Sequence, residues 1–125
     1  MPTTPPSCPV LVVEDDETYR KGLVVALDQN HFAVTVASDG AEAIEILGKR
    51  PFQMVILDLN LPSTSGLEVL DFIRSNREKV TAKIIIVTAA TDARTRYDIR
   101  VAEEVLLKPV DFAYVAERAR KYCGH

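Results

Sequence analysis

Four stretches of this chain, VLVV (10–13), MVIL (54–57), KIIIVTA (83–89) and EVLLK (104–108), are apolar at consecutive positions instead of at every second one. A strand with one wet face alternates polar and apolar residues, whereas a strand covered on both faces does not need to. Between these stretches the period changes to that of a helix. Tyr19, Leu23, Ala26 and Leu27 share one face, as do Ala43, Ile44 and Leu47, and then Leu67, Leu70, Phe72 and Ile73. Asp39 with Glu42, and Ser65 with Glu68, have the three-residue spacing of a capping box, which marks where two of these helices start. A last helix spans 111–122, with Phe112, Val115, Ala116 and Ala119 inward, and FAVTVA (32–37) supplies a fifth strand.

Strand and helix alternating in this way define an α/β chain with a parallel sheet sandwiched between helices. With five strands and right-handed crossovers, the expected arrangement is a doubly wound, flavodoxin-like sheet of order 2-1-3-4-5. That order reverses between the first and third strands, and ligands bind beyond the carboxyl ends of the strands there. At 125 residues the chain suits one domain. Residues 1–8, with TTPPSCP, read as a tail, and residues 9–125 as the domain. A net charge of −3 offers no basic field for a nucleic-acid backbone. No apolar run approaches the ~20 residues of a membrane span and the N-terminus lacks a signal-peptide pattern, so a cytoplasmic location is expected. Cys8 and Cys123 match neither a disulfide framework nor a metal-ligand spacing, and both are expected to be free thiols.

The expected topology gathers chemistry at one edge. The first strand runs into Glu14, Asp15 and Asp16, the third ends on Asp58 and Asn60, the fourth on Thr88, and the fifth on Lys108. The first and third strands are neighbours in that order, so their carboxylates converge, and such a cluster is costly without a cation. The donors are all oxygens with no His or Cys nearby, which points to a hard ion, and magnesium fits better than a full calcium cage. Asp16 is assigned as a helix N-cap. Asp58 has no such task, because the next helix already has Ser65. Thr88 and Lys108 taken singly would be a turn hydroxyl and a solvated lysine; their coincidence at separate strand ends carries the weight.

These residues resemble the receiver domain of two-component response regulators from Val10 to about Tyr122. The resemblance rests on VVEDD, on Asp58 followed by Pro62 and Gly66, on Thr88 with Ala89, and on Lys108 with Pro109. It implies that Asp58 accepts a phosphoryl group as an acyl phosphate, donated by the phosphohistidine of a sensor kinase or phosphotransfer protein. It further implies that Asp15 and Asp58 hold Mg2+ directly, that Asn60 offers its backbone carbonyl, and that Glu14 acts through a coordinated water. Lys108 and Thr88 serve the phosphoryl oxygens, and a cis Lys108-Pro109 bond is expected. Such a domain catalyses only its own modification and is not an enzyme on an external substrate. Its output passes to an effector protein or to an attached output domain, with no membrane and no direct nucleic-acid contact by this chain. A pseudo-receiver that only binds partners would not need Asp15, Asp58, Thr88 and Lys108 together. A haloacid-dehalogenase-type enzyme places its nucleophile after the first strand, and a flavodoxin phosphate loop would be repelled by EDDET.

Two features depart from the family. The aromatic residue usual three positions before the lysine is Val105 here, and the segment between Thr88 and Lys108 is about two residues short. Asp92, Arg94, Arg96, Asp98 and Arg100 leave the helix expected in that segment few apolar anchors beyond Tyr97, Ile99 and Val101. The expectation is a short or irregular helix and a readout that leans on the first helix and neighbouring loops.

Overall fold

A computed structural model describes residues 7–61, 65–91 and 99–123. Five strands, β1 (Cys8–Val13), β2 (Phe32–Ala37), β3 (Met54–Leu57), β4 (Lys83–Thr88) and β5 (Glu104–Leu107), form one sheet of order β2-β1-β3-β4-β5. Every pairing is parallel, as the continuous apolar runs require. The described helices are α1 (Glu17–Asp28), α2 (Gly40–Lys49), α3 (Gly66–Ser75) and α4 (Phe112–Tyr122). The expected flavodoxin-like arrangement is the one observed. None of the described helices is long and apolar enough to cross a membrane.

The pleat sorts the apolar runs into two cores. Leu11, Val13, Val55, Leu57, Ile84 and Ile86 face α2 and α3, with Ala43, Leu47, Val69, Leu70 and Ile73. Val10, Val12, Met54, Ile56, Ile85 and Val87 face α1 and α4, with Leu23, Leu27, Val115, Ala116 and Ala119. In β1, β3 and β4 both parities are therefore buried, which is why those runs do not alternate, whereas the edge strand β5 is only half-buried and leaves Leu107 exposed. Val69, missing from the face read in the sequence, is fully buried on α3, whereas Leu67 is only half-buried.

The predicted caps form. Asp16 accepts the Tyr19 N–H at 3.0 Å, Asp39 that of Glu42 at 2.8 Å, and Ser65 that of Glu68 at 3.4 Å. The Lys108-Pro109 bond is cis, as expected. Val105 is half-buried on β5 beside Ile86 of β4. The irregular helix expected before β5 falls on 92–98, outside the described residues, as do Pro62 and the first six residues of the tail.

The cysteine expectation is corrected. Cys8 does not belong to a tail but opens β1, and it is disulfide-bonded to Cys123 at the C-cap of α4, with Cα atoms 6.0 Å apart. A separation of 115 residues in sequence hides the contact. Because β1 is an interior strand and α4 packs on the same face through Val115, Ala116 and Ala119, the start of the strand and the end of the helix meet at one end of the sheet. Their spacing lies within the range a disulfide spans.

Candidate active site

Three site residues occupy the first position past a strand while still hydrogen-bonded to the neighbouring strand. Glu14 N–H donates to Ala37 O at 3.1 Å, Asp58 N–H to Val13 O at 3.0 Å, and Lys108 N–H to Thr88 O at 2.9 Å. The ladder thus fixes their backbones before any side-chain contact is made. Pleat parity then decides direction: Glu14 continues the alternation of Val10 and Val12, Asp58 that of Met54 and Ile56, and Lys108 that of Leu106. All three belong to the α1–α4 side of the sheet.

Their side chains meet. Lys108 Nζ lies 2.6 Å from Glu14 Oε1 and 3.1 Å from Asp58 Oδ2. Asp58 Oδ1 accepts the Asn60 N–H at 3.0 Å. Glu14, Asp15 and Asp58 each offer a carboxylate oxygen, all within 4.8 Å of one another. Glu14 and Asp58 are buried, while Asp15 and Asn60 are exposed at the rim. Thr88 is fully buried and ends β4, but it follows the alternation of Ile84 and Ile86 toward α2 and α3. Its hydroxyl accepts the Ala90 N–H at 3.3 Å.

Lys108 supplies the first positive charge in the cluster. One ammonium does not balance the cluster. Burial, above all, raises the Glu14 carboxyl to about 7; the Lys108 hydrogen bond opposes the rise and the Asp58 charge adds to it. Lys108 is pulled down by its own burial, yet its hydrogen bonds to Glu14 and Asp58 hold it above the usual lysine value. It therefore remains an ammonium at neutral pH. Three converging carboxylates with one counter-charge, all-oxygen donors and an open rim at Asp15 suit a small hard divalent cation.

One member of the site was not legible as such. Tyr19, read as an inward residue of α1, lies with its ring 4.3 Å from Lys108 Nζ and touches Phe112 edge-on, with ring centres 5.4 Å apart. Nothing in the linear sequence joins Tyr19 to a lysine 89 positions later; only the packing of α1 against α4 does.

A doubly wound sheet of this order, with an acidic pair, a strand-end aspartate and a lysine before a cis proline converging on one edge, defines a receiver domain. The family model for the response regulator receiver domain matches residues 10–120, and the chain belongs to that family. Among curated relatives, the transcriptional regulatory protein QseB of Haemophilus influenzae is 37% identical over 109 residues, covering 87% of this chain and 49% of that protein. The nitrate/nitrite response regulator NarP of Escherichia coli is 35% identical over 116 residues, covering 89% and 53%. The chain thus spans about half the length of these relatives. The response regulator TrrA of Thermotoga maritima, solved in complex with Mg2+-BeF, matches with a TM-score of 0.83 and 31% identity, covering 92% of this chain and 98% of that one.

Proposed function

We propose that Asp58 is the phosphoacceptor of this receiver domain, that Glu14, Asp15, Asp58 and Asn60 hold a magnesium ion, and that Lys108 and Thr88 serve the phosphoryl oxygens. The observation that carries this reading is the Lys108 ammonium 3.1 Å from Asp58 Oδ2, its side chain 12% exposed, at the three-carboxylate cluster. The Mg2+-BeF complex of TrrA supports the choice of metal.

In the reaction, an Asp58 carboxylate oxygen forms a bond to phosphorus as the bond between phosphorus and the donor nitrogen breaks, the electron pair returning to the imidazole of a phosphohistidine. The incoming group carries negative charge on three equatorial oxygens, and the site must meet it without rearranging. Lys108 supplies a fixed positive charge on one side. The Asn60 N–H already holds Asp58 Oδ1, which orients the carboxylate, and the Asn60 carbonyl would be the oxygen it offers to the metal. Thr88 turns its hydroxyl from the Ala90 N–H to a phosphoryl oxygen. Bound magnesium supplies charge neutralisation at the phosphoryl oxygens. Water later attacks phosphorus, releasing inorganic phosphate and restoring the carboxylate.

The domain thereby catalyses its own phosphorylation and dephosphorylation. Upstream it takes the group from a sensor histidine kinase or phosphotransfer protein in the cytoplasm, and downstream it switches an effector protein or an attached output domain. With Val105 where an aromatic would move, the readout leans on α1 and the loops beside it. Incubation with a small acyl phosphate and Mg2+, followed by intact mass measurement, tests this. A phosphoryl adduct is expected on the wild type and neither on Asp58→Asn nor in EDTA. An unmodified wild type would instead favour a pure interaction module.

A further inference from the structure

We propose that Tyr19 is a positioning residue for phosphoryl transfer, its ring face holding the Lys108 ammonium against the carboxylates. This rests on the reading of Asp58 as phosphoacceptor. Lysine is a compact charge on a flexible four-carbon stem, so a transition state that depends on it needs something to confine it. Two N–H directions of Lys108 go to Glu14 and Asp58, and the ring of Tyr19, centred 4.3 Å from Nζ, takes another side. That is within cation–π range, and the lysine side chain is only 12% exposed, the poorly hydrated regime in which the attraction is largest.

The ring is itself held. The Tyr19 N–H is tied to the Asp16 N-cap, which fixes the first turn of α1 beside Glu14 and Asp15. Phe112, at the start of α4, packs edge-on against the ring at an interplanar angle of 82°. Phe112 reaches that position because residue 22 of α1 is glycine, where any Cβ would overlap the Phe112 ring. The contact chain thus runs from α4 through Phe112 and Tyr19 to the ammonium.

A ring suits this task for a chemical reason. Both carboxylate partners of Lys108 are themselves proposed metal ligands, and Asp58 gives up an oxygen to phosphorus. The ring is not consumed, so it keeps the ammonium in place throughout the reaction.

The test compares wild type with Tyr19→Phe, which keeps the ring, and Tyr19→Leu, which keeps apolar bulk; Tyr19→Met replaces the latter should it not fold. Adduct formation with a small acyl phosphate and Mg2+ is timed by mass. The Lys108 ε-methylene resonance is followed by NMR in metal-free protein. Tyr19→Phe is expected to match wild type in both. Tyr19→Leu should lose the ring-current shift at Lys108 and phosphorylate roughly tenfold more slowly. An unchanged Lys108 resonance, or an unchanged rate despite a moved resonance, overturns this inference alone. A wild type that forms no adduct overturns the phosphoacceptor reading and this inference with it.

Discussion

Replacing Glu14 by glutamine is expected to make the metal-free domain more stable, not less, despite breaking a 2.6 Å ion pair with Lys108. Glu14 is 2% exposed, so solvent screens little of its burden. Its carboxyl rises from 4.5 to about 7, chiefly through burial. A folded-state value above the unfolded one means the folded protein binds more protons. The stability tied to this residue is therefore fully present below pH 4.5 and is lost as pH climbs to about 7. At pH 8 the loss amounts to about 3 kcal/mol. Glutamine does not titrate, keeps an oxygen for Lys108, and avoids the loss. Urea unfolding of both proteins in EDTA from pH 5 to 8 should show nearly equal stabilities at pH 5 and a widening advantage for Glu14→Gln. Mg2+ should shrink the advantage by favouring the ionised wild type. Parallel curves across that range, or a less stable Glu14→Gln at pH 8, would show that the ion pair outweighs the burial of charge.

Gly66→Ala places a Cβ 2.5 Å from the Asp58 carbonyl oxygen and from the Leu59 Cα, backbone atoms that cannot swing aside. A cost of about 1–3 kcal/mol in urea unfolding is expected, together with slower phosphorylation as Asp58 shifts. Cys123→Ser opens a loop of 115 residues, and chain entropy sets the loss near 5 kcal/mol relative to the oxidised protein. Reduced wild type should unfold at the same urea concentration as this variant, with thiol titration reporting the redox state; equal midpoints for oxidised and reduced wild type would show that the staple adds nothing. Under reducing conditions the pair is a thiol pair and the difference disappears.

How much was legible follows from where each signal lies. The strand ends at Glu14, Asp58, Thr88 and Lys108, and the caps Asp16, Asp39 and Ser65, are local patterns that hold whatever the rest of the chain does. The acidic cluster was legible because the strand order could be anticipated. What the strand order did not give is the direct contact within it: the Lys108 ammonium bridges Glu14 and Asp58. Val69, three and four residues before Phe72 and Ile73, lies on the same face as they do, and the stripe starting from Leu67 passes over it.

By itself the sequence determined the alternation of buried strand and amphipathic helix, and with it the doubly wound sheet and the list of polar groups at its carboxyl edge. Periodicity and capping are short-range, and a buried parallel strand has no polar position to spare. Only the tertiary structure decided who touches whom across long separations: Lys108 with Glu14 and Asp58, Tyr19 with Lys108, Cys8 with Cys123. Those contacts depend on pleat parity at strand ends and on how α4 lies against α1, and no residue states either one before the chain has closed on itself.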